Sequence, residues 1–264
     1  MANDCDEWCM CKDCRKLINA AGGSRSGPVI HITNMVAHAV AEKYPGLTVE
    51  MAAYMSAIRA PKPEVMKCED NVVVIFASLA SCSNHLYSGE NCNPDKNPLY
   101  NGYFGGNISD WGKICKDIRL WYYTVDFSFS LAPLPVMYNL REDMIYCAEN
   151  NVKGVYTENE NTIFGFEDVI SYMLTKLYWN PYITAQEYED ILTEFLILYY
   201  GDGYKSILKY IHMWTEAGDM MGCFNCIENR TRPTTILSCE YYSDNYDVMK
   251  GLFDTAKAEA NYKQ

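Results

Sequence analysis

Asn71-Val72-Val73-Val74-Ile75-Phe76-Ala77 is a short, almost wholly apolar run dominated by β-branched residues. Such residues suit a pleated backbone, and an uninterrupted apolar run, unlike an alternating one, predicts a strand buried on both faces. Working outward, Leu47 to Met55 reads as a strand before it, and Ile118 to Thr124 (IRLWYYT) and Val152 to Thr157 (VKGVYT) as strands after it. Ile108 to Lys116 and Val136 to Asn150 read as helices between the later strands. Strand and helix thus alternate, which predicts parallel βαβ units with right-handed crossovers, in a parallel barrel or a doubly wound sheet.

Upstream, Gly22-Gly23-Ser24-Arg25-Ser26-Gly27-Pro28 is a loop that ends in a helix start with Pro28 in its first turn. Val29, Ile32, Val36, Ala39 and Val40 recur at helical spacing, and Tyr44-Pro45-Gly46 stops the helix. Downstream the chain turns helical. Phe166, Val169, Ile170, Met173, Leu174 and Leu177 form one apolar stripe. Thr184 and Glu187 make a capping box ahead of Tyr188, Ile191, Leu192, Phe195 and Leu198, with Gly201 as the stop. Tyr204 to Trp214 and Asp247 to Ala260 predict two more helices. The expected division is a strand-and-helix domain over 1–180 and a helical region over 181–264.

With 264 residues, 49% of them hydrophobic, the chain can bury a sizeable core. A net charge of −12 opposes a surface that tracks phosphates, so nucleic acid is not the expected partner. The 22 tyrosines and 5 tryptophans fit a neutral polar ligand, because aromatic faces edged with polar groups stack on sugar rings. No apolar run reaches the roughly 18 residues of a membrane span. Gly105-Gly106 lacks the third glycine of a nucleotide-binding loop, and neither a G-x-S-x-G elbow nor an H-E-x-x-H helix is present. No organic cofactor is expected. Among 12 cysteines, Cys5, Cys9, Cys11 and Cys14 cluster near the start, and Cys11-x-x-Cys14 has zinc-ligand spacing. A structural zinc, disulfides and buried thiols are the three readings of that cluster.

In a parallel barrel the reactive groups lie at the C-terminal ends of strands, where the loops converge. Tyr54, His85, Asp126, Glu158 and Glu160 follow the four strands, and Asn3 and Asp4 would sit at the same mouth after a preceding strand. Two carboxylates on different strands are the minimum equipment for glycosidic cleavage. Trp121 and Tyr123 alternate with Leu120 and Tyr122, so one pair faces the barrel interior and the other the helices.

Several blocks, taken in order, resemble the domain-of-unknown-function family 4838. They are Asn3-Asp4, Cys9-x-Cys11-x-x-Cys14, Ser26-Gly27-Pro28 with Asn34, Ala53-Tyr54, Asp70 to Val74, and Cys82 with His85. Trp121-x-Tyr123-Thr124, Leu131-Ala132-Pro133-x-Pro135, Glu149 to Val155 and Lys176-Leu177-x-Trp179-Asn180-Pro181 continue the likeness. That family is similar to barrel glycoside hydrolases of the hexosaminidase and α-glucuronidase type, with members often secreted or at the surface of polysaccharide-degrading bacteria. The resemblance implies the C-terminal half of a TIM-type (β/α)8 barrel, with Asn3-Asp4 ending the fourth strand and strands five to eight following, then a helical tail. It implies a fragment, a split gene or a late start, and a half barrel closed by self-association or by a missing N-terminal half.

On this reading the chain is a carbohydrate-active, glycoside-hydrolase-like protein. Asp4 is one acid or base and Glu158 or Glu160 the other; Asn3, Tyr54, His85, Trp121, Tyr123 and Asp126 line the sugar site. The pattern departs at Tyr122, where the family tends to carry an acid, and at Tyr156-Thr157, which displaces the second carboxylate to Glu158. Those departures favour the alternative, a non-catalytic carbohydrate-binding or scaffold protein. A zinc-stabilised structural module is the third reading.

Overall fold

The computed structural model describes residues 8–80, 82, 84–88, 104–125, 134–159, 166–220 and 239–260. These fall into two compact units. One holds the chain up to Ala80, with Tyr87–Tyr123 and Tyr146–Glu158; the other holds Ser81–Leu86, Thr124–Ile145 and the chain from Asn159 onward.

The first unit is built on four parallel strands, β1 (Val49–Ala53), β2 (Val72–Ala77), β3 (Ile118–Tyr123) and β4 (Val152–Glu158). They pair in sequence order, β1-β2-β3-β4, with every neighbouring pair parallel. A doubly wound sheet reverses its strand order at a switch point, whereas barrel strands follow one another. The sheet is therefore that of half a (β/α)8 barrel, and helices dominate the rest of the chain. Helix α3 (Phe104–Ile114) lies between β2 and β3, and α4 (Leu140–Glu149) between β3 and β4. The β1 to β2 connection carries only a short 3-10 turn, Met55–Ala57, where strict alternation predicts a helix. The fully buried Trp111 of α3 donates its indole N–H to the Ile58 carbonyl of that connection at 2.7 Å.

The register divides the side chains into two faces. Met51 and Ala53, Val74 and Phe76, and Ile118, Leu120 and Tyr122 share one face, and all are buried. Ala52, Ile75, Ala77, Arg119, Trp121, Tyr123, Gly154, Tyr156 and Glu158 share the other, where most side chains are only half-buried or exposed. Leu120 and Tyr122 thus face the core and Trp121 and Tyr123 the opposite side, a choice that alternation alone left open.

Helix α1 (Lys12–Ala20) packs on α2 (Gly27–Lys43), and α2 packs on β1 and β2. The predicted stripe of α2 is not the one it buries. Ile30, Thr33 and Ala37 are buried, while Ile32 and Val36 are exposed. The helix is apolar around much of its girth, and close approach selects its small residues: a Cβ at Gly27 would stand 2.2 Å from that of Ala21. Polar side chains then fasten the adjoining loops. Ser26 Oγ donates to the Arg59 carbonyl, Asn34 bridges Lys67 and Glu69, and Asn71 donates to the Ala37 carbonyl.

In the second unit α5 (Glu167–Trp179) buries the predicted stripe of Val169, Ile170, Met173, Leu174 and Leu177. Helix α6 (Ala185–Tyr200) opens with the expected capping box: Glu187 N–H donates to Thr184 Oγ1 at 3.1 Å, and Thr184 N–H to Glu187 Oε2 at 2.7 Å. It buries Tyr188, Leu192 and Leu196, while Leu198 points outward because it lies off that stripe. Helices α7 (Tyr204–Met220) and α8 (Cys239–Glu259) run longer than their apolar stripes suggest.

Two tests follow from this packing. Trp111→Phe takes one ring out of a fully buried site and leaves the Ile58 carbonyl without its donor, and should cost about 2–4 kcal/mol, read as a lower denaturation midpoint at an unchanged slope. A Cβ at Gly203 would meet the Ala256 carbonyl oxygen at 2.4 Å, whereas nothing lies within 4 Å of one at Gly251 in α8. Gly203→Ala should therefore destabilise by about 1–3 kcal/mol and Gly251→Ala stabilise by about 0.5–1 kcal/mol.

Candidate functional site

The C-terminal ends of β3 and β4 carry the most developed polar and aromatic arrangement among the sequence-predicted residues of the sheet. Trp121 and Tyr156 are register partners, as are Tyr123 and Glu158, so all four side chains share the face opposite the buried one of Ile118, Leu120 and Tyr122. The Trp121 indole N–H donates to Glu158 Oε2 at 2.7 Å. Tyr156 meets Trp121 edge to face, with ring centroids 4.7 Å apart, and keeps 58% of its surface exposed. A carboxylate is held in place by an indole, and beside it a tyrosine ring is left open to a ligand. Tyr156 was not among the predicted site residues. Its signal was present in the alternation of Val152 to Glu158, which sets Tyr156 on the same side as Glu158, but only the register with β3 brings it to Trp121.

Tyr54 follows β1 in extended conformation and is half-buried. Met55 next to it adopts a left-handed φ of 48°, so the chain turns sharply as it leaves the strand. His85 belongs to the second unit, where its Nδ1 lies 3.2 Å from the buried Cys82 sulfur. Asn3, Asp4, Cys5, Asp126 and Glu160 lie outside the described residues. Among the described residues, Glu158 is the one carboxylate at the C-terminal end of a strand. The small apolar cavity of the second unit, lined by Leu134, Met137, Phe166, Ile170, Ile211 and Trp214, offers Thr215 as its one polar side chain, which does not suit a sugar.

The family model described as a domain of unknown function (DUF4838) matches residues 1–212, which takes in the whole sheet and helices α1 to α6. The chain belongs to that family. No curated protein and no solved structure matches it.

In this DUF4838 chain the polar residues of the motif blocks serve two different ends. Asn151 adopts a left-handed φ of 66° between α4 and β4, and its amide donates to the Gly112 carbonyl at 2.9 Å. Asn150 donates to the Tyr146 carbonyl. These residues, with Ser26, Asn34 and Asn71, close turns and satisfy backbone groups; they do not form a reactive site. Trp121 and Glu158 bond instead to one another across the ends of β3 and β4, beside the exposed Tyr156 ring, which marks them as candidates for ligand contact.

The cysteines form two further groupings. The Sγ atoms of Cys9, Cys11 and Cys14 all lie within 4.8 Å of one another at the start of α1, and the three could hold a metal ion. Backbone N–H groups of Cys14 and Asp13 and the thiols of Cys9 and Cys14 donate toward Cys11 and bring it down to about 7. Cys14, the donor in those thiol contacts with Cys9 and Cys11, is pushed up to about 11. Cys68 and Cys115, far apart in sequence, share a second thiol pair, in which the hydrogen bond from Cys68 lowers Cys115 and raises Cys68. No spacing signal could reveal that pair, because only the fold brings β2's approach and the end of α3 together. Among the described residues, no helix is long and apolar enough to cross a membrane.

The thiolate is the nucleophile, so reactivity should separate these thiols. In the reduced, metal-free chain, iodoacetamide labelling at Cys11 should rise with pH around a midpoint of about 7, while Cys14 stays unlabelled until far more alkaline pH. Peptide mapping by mass spectrometry reads both; equal rates at neutral pH would contradict the hydrogen-bond pattern.

Proposed function

We propose that this chain is a carbohydrate-active, glycoside-hydrolase-like protein that holds a sugar at the C-terminal ends of its strands. The observation that carries the reading is the Trp121-Glu158 hydrogen bond with Tyr156 exposed on the indole. A sugar presents an apolar ring face and a rim of hydroxyls. An open aromatic ring takes the first, and a carboxylate fixed by an indole N–H takes the second. Glycosidic cleavage needs a second carboxyl group across the scissile bond. Asp4 is proposed for that role, with Asn3, Tyr54 and Tyr123 as further sugar contacts.

A second reading keeps the sugar and drops the chemistry: a non-catalytic carbohydrate-binding or scaffold protein. It is favoured by Glu158 standing without a second carboxylate among the described strand ends, and by Tyr122 and Thr157 at positions where the family tends toward acids.

Screening the full chain against polysaccharides and aryl glycosides tests both. Tyr156→Ala should weaken sugar binding by about 2- to 10-fold, the worth of one aromatic stacking contact. Glu158→Gln should cut turnover by at least about 100-fold while binding changes only a few-fold. Binding with no turnover in the unaltered chain selects the second reading, and a Tyr156→Ala variant that binds every sugar as the parent does removes the site altogether.

A further inference from the structure

The three clustered thiols at the start of α1 are unconnected to the sugar reading, and their geometry narrows what they are for. A tetrahedral zinc with Zn–S bonds of about 2.3 Å sets its sulfurs roughly 3.8 Å apart. Cys9, Cys11 and Cys14 present their Sγ atoms within 4.8 Å of one another, so a shift of about 1 Å or less brings all three to that spacing. A disulfide would pair two of them and leave the third alone; a metal takes all three. Cys9-x-Cys11 lacks the two-residue spacer of Cys11-x-x-Cys14. The structure resolves this by placing Cys9 and Cys11 in the extended lead-in to the helix and Cys14 in its first turn, so the three fold back on one another.

Two surrounding features suit a metal thiolate. Cys11 is the N-cap of α1, so its sulfur stands beside the helix N-terminus, where the first-turn backbone N–H groups lack intrahelical partners. Helix N-terminal amides aimed at a sulfur stabilise its anion whether or not a metal is bound. Lys12, Arg15 and Lys16 lie within two residues of Cys11 or Cys14, against the single acid Asp13 in that first turn. Three thiolates on a divalent cation leave an anionic complex, and these cations offset it.

We infer that Cys9, Cys11 and Cys14 bind one zinc ion through three thiolates at the N-terminus of α1. Three Zn–S bonds form, the protons still on the thiols pass to solvent, and no electrons move. The ion ties the extended lead-in at Cys9 to the first turn of α1, doing for this exposed segment what a buried core does for the rest of its unit. Zinc takes four ligands, and the trio supplies three of them.

The test uses the full chain, reduced and stripped with a chelator, then loaded with zinc, desalted and analysed for metal. One zinc per chain is expected. Cobalt(II) in place of zinc should give a tetrahedral d–d spectrum with thiolate-to-metal absorption, a readout that needs no variant. Cys11→Ser with Cys14→Ser should weaken zinc binding at least tenfold with an unchanged far-ultraviolet circular dichroism spectrum, since Cys11 is exposed and Cys14 only half-buried. Cys68→Ala with Cys115→Ala should bind as the parent does. The inference fails if the reduced parent retains no zinc, if cobalt shows no thiolate absorption, if Cys9→Ser, Cys11→Ser and Cys14→Ser together leave binding intact, or if binding follows Cys68 and Cys115.

Discussion

Strand β2 is hydrogen-bonded along both edges, to β1 through Val72 to Phe76 and to β3 through Val74 to Ala77. A parallel strand so placed has its backbone satisfied but must keep at least one face of its sheet dry. The apolar run Val72 to Ala77 is what makes that possible: Val74 and Phe76 face the buried side with no exposed surface. From this follow the covering helices and the parallel neighbours on either side. Parallel neighbours also oblige the chain to travel back past the sheet after every strand, so the connections bear as much of the structural load as the strands do.

Those connections are where much of the polar sequence goes. The β1 to β2 return has no α-helix, and Trp111 from α3 caps its Ile58 carbonyl in its place. The turn into β4 depends on Asn151 in a left-handed conformation, with its side chain bonded back to Gly112 at the end of α3. Asn71 links the entry of β2 to α2. Each of these asparagines does what an apolar residue could not, supplying a donor to a carbonyl that the regular ladder leaves open. The blocks that mark the family therefore mix two kinds of residue, those that close turns and those that face outward at the strand ends.

Separating the two kinds changes how the open face is understood. Arg119, near the beginning of β3, is paired with Asp117 at 2.8 and 3.0 Å and lies against Gly154. At the other end of the same strands stand Trp121, Tyr123, Tyr156 and Glu158. The face thus runs from a self-satisfied ion pair to an aromatic and carboxylate cluster with exposed ring surface.

By itself the sequence determined the four strands, the capped α6, the α5 stripe, the parallel α/β class and the family, because each rests on local pattern: β-branched runs, a Thr-x-x-Glu box, period 3.6, or motif order. It did not determine which face of α2 is buried, since a helix apolar around much of its girth has no single stripe, and the closeness of Gly27 to Ala21 decided it. Nor did it reveal that Tyr156 completes the Trp121 and Glu158 cluster, or that Cys68 meets Cys115. Those pairings depend on register and on how far α3 reaches back across the sheet. Periodicity says which residues share a side of one element; only tertiary structure says which elements stand beside it.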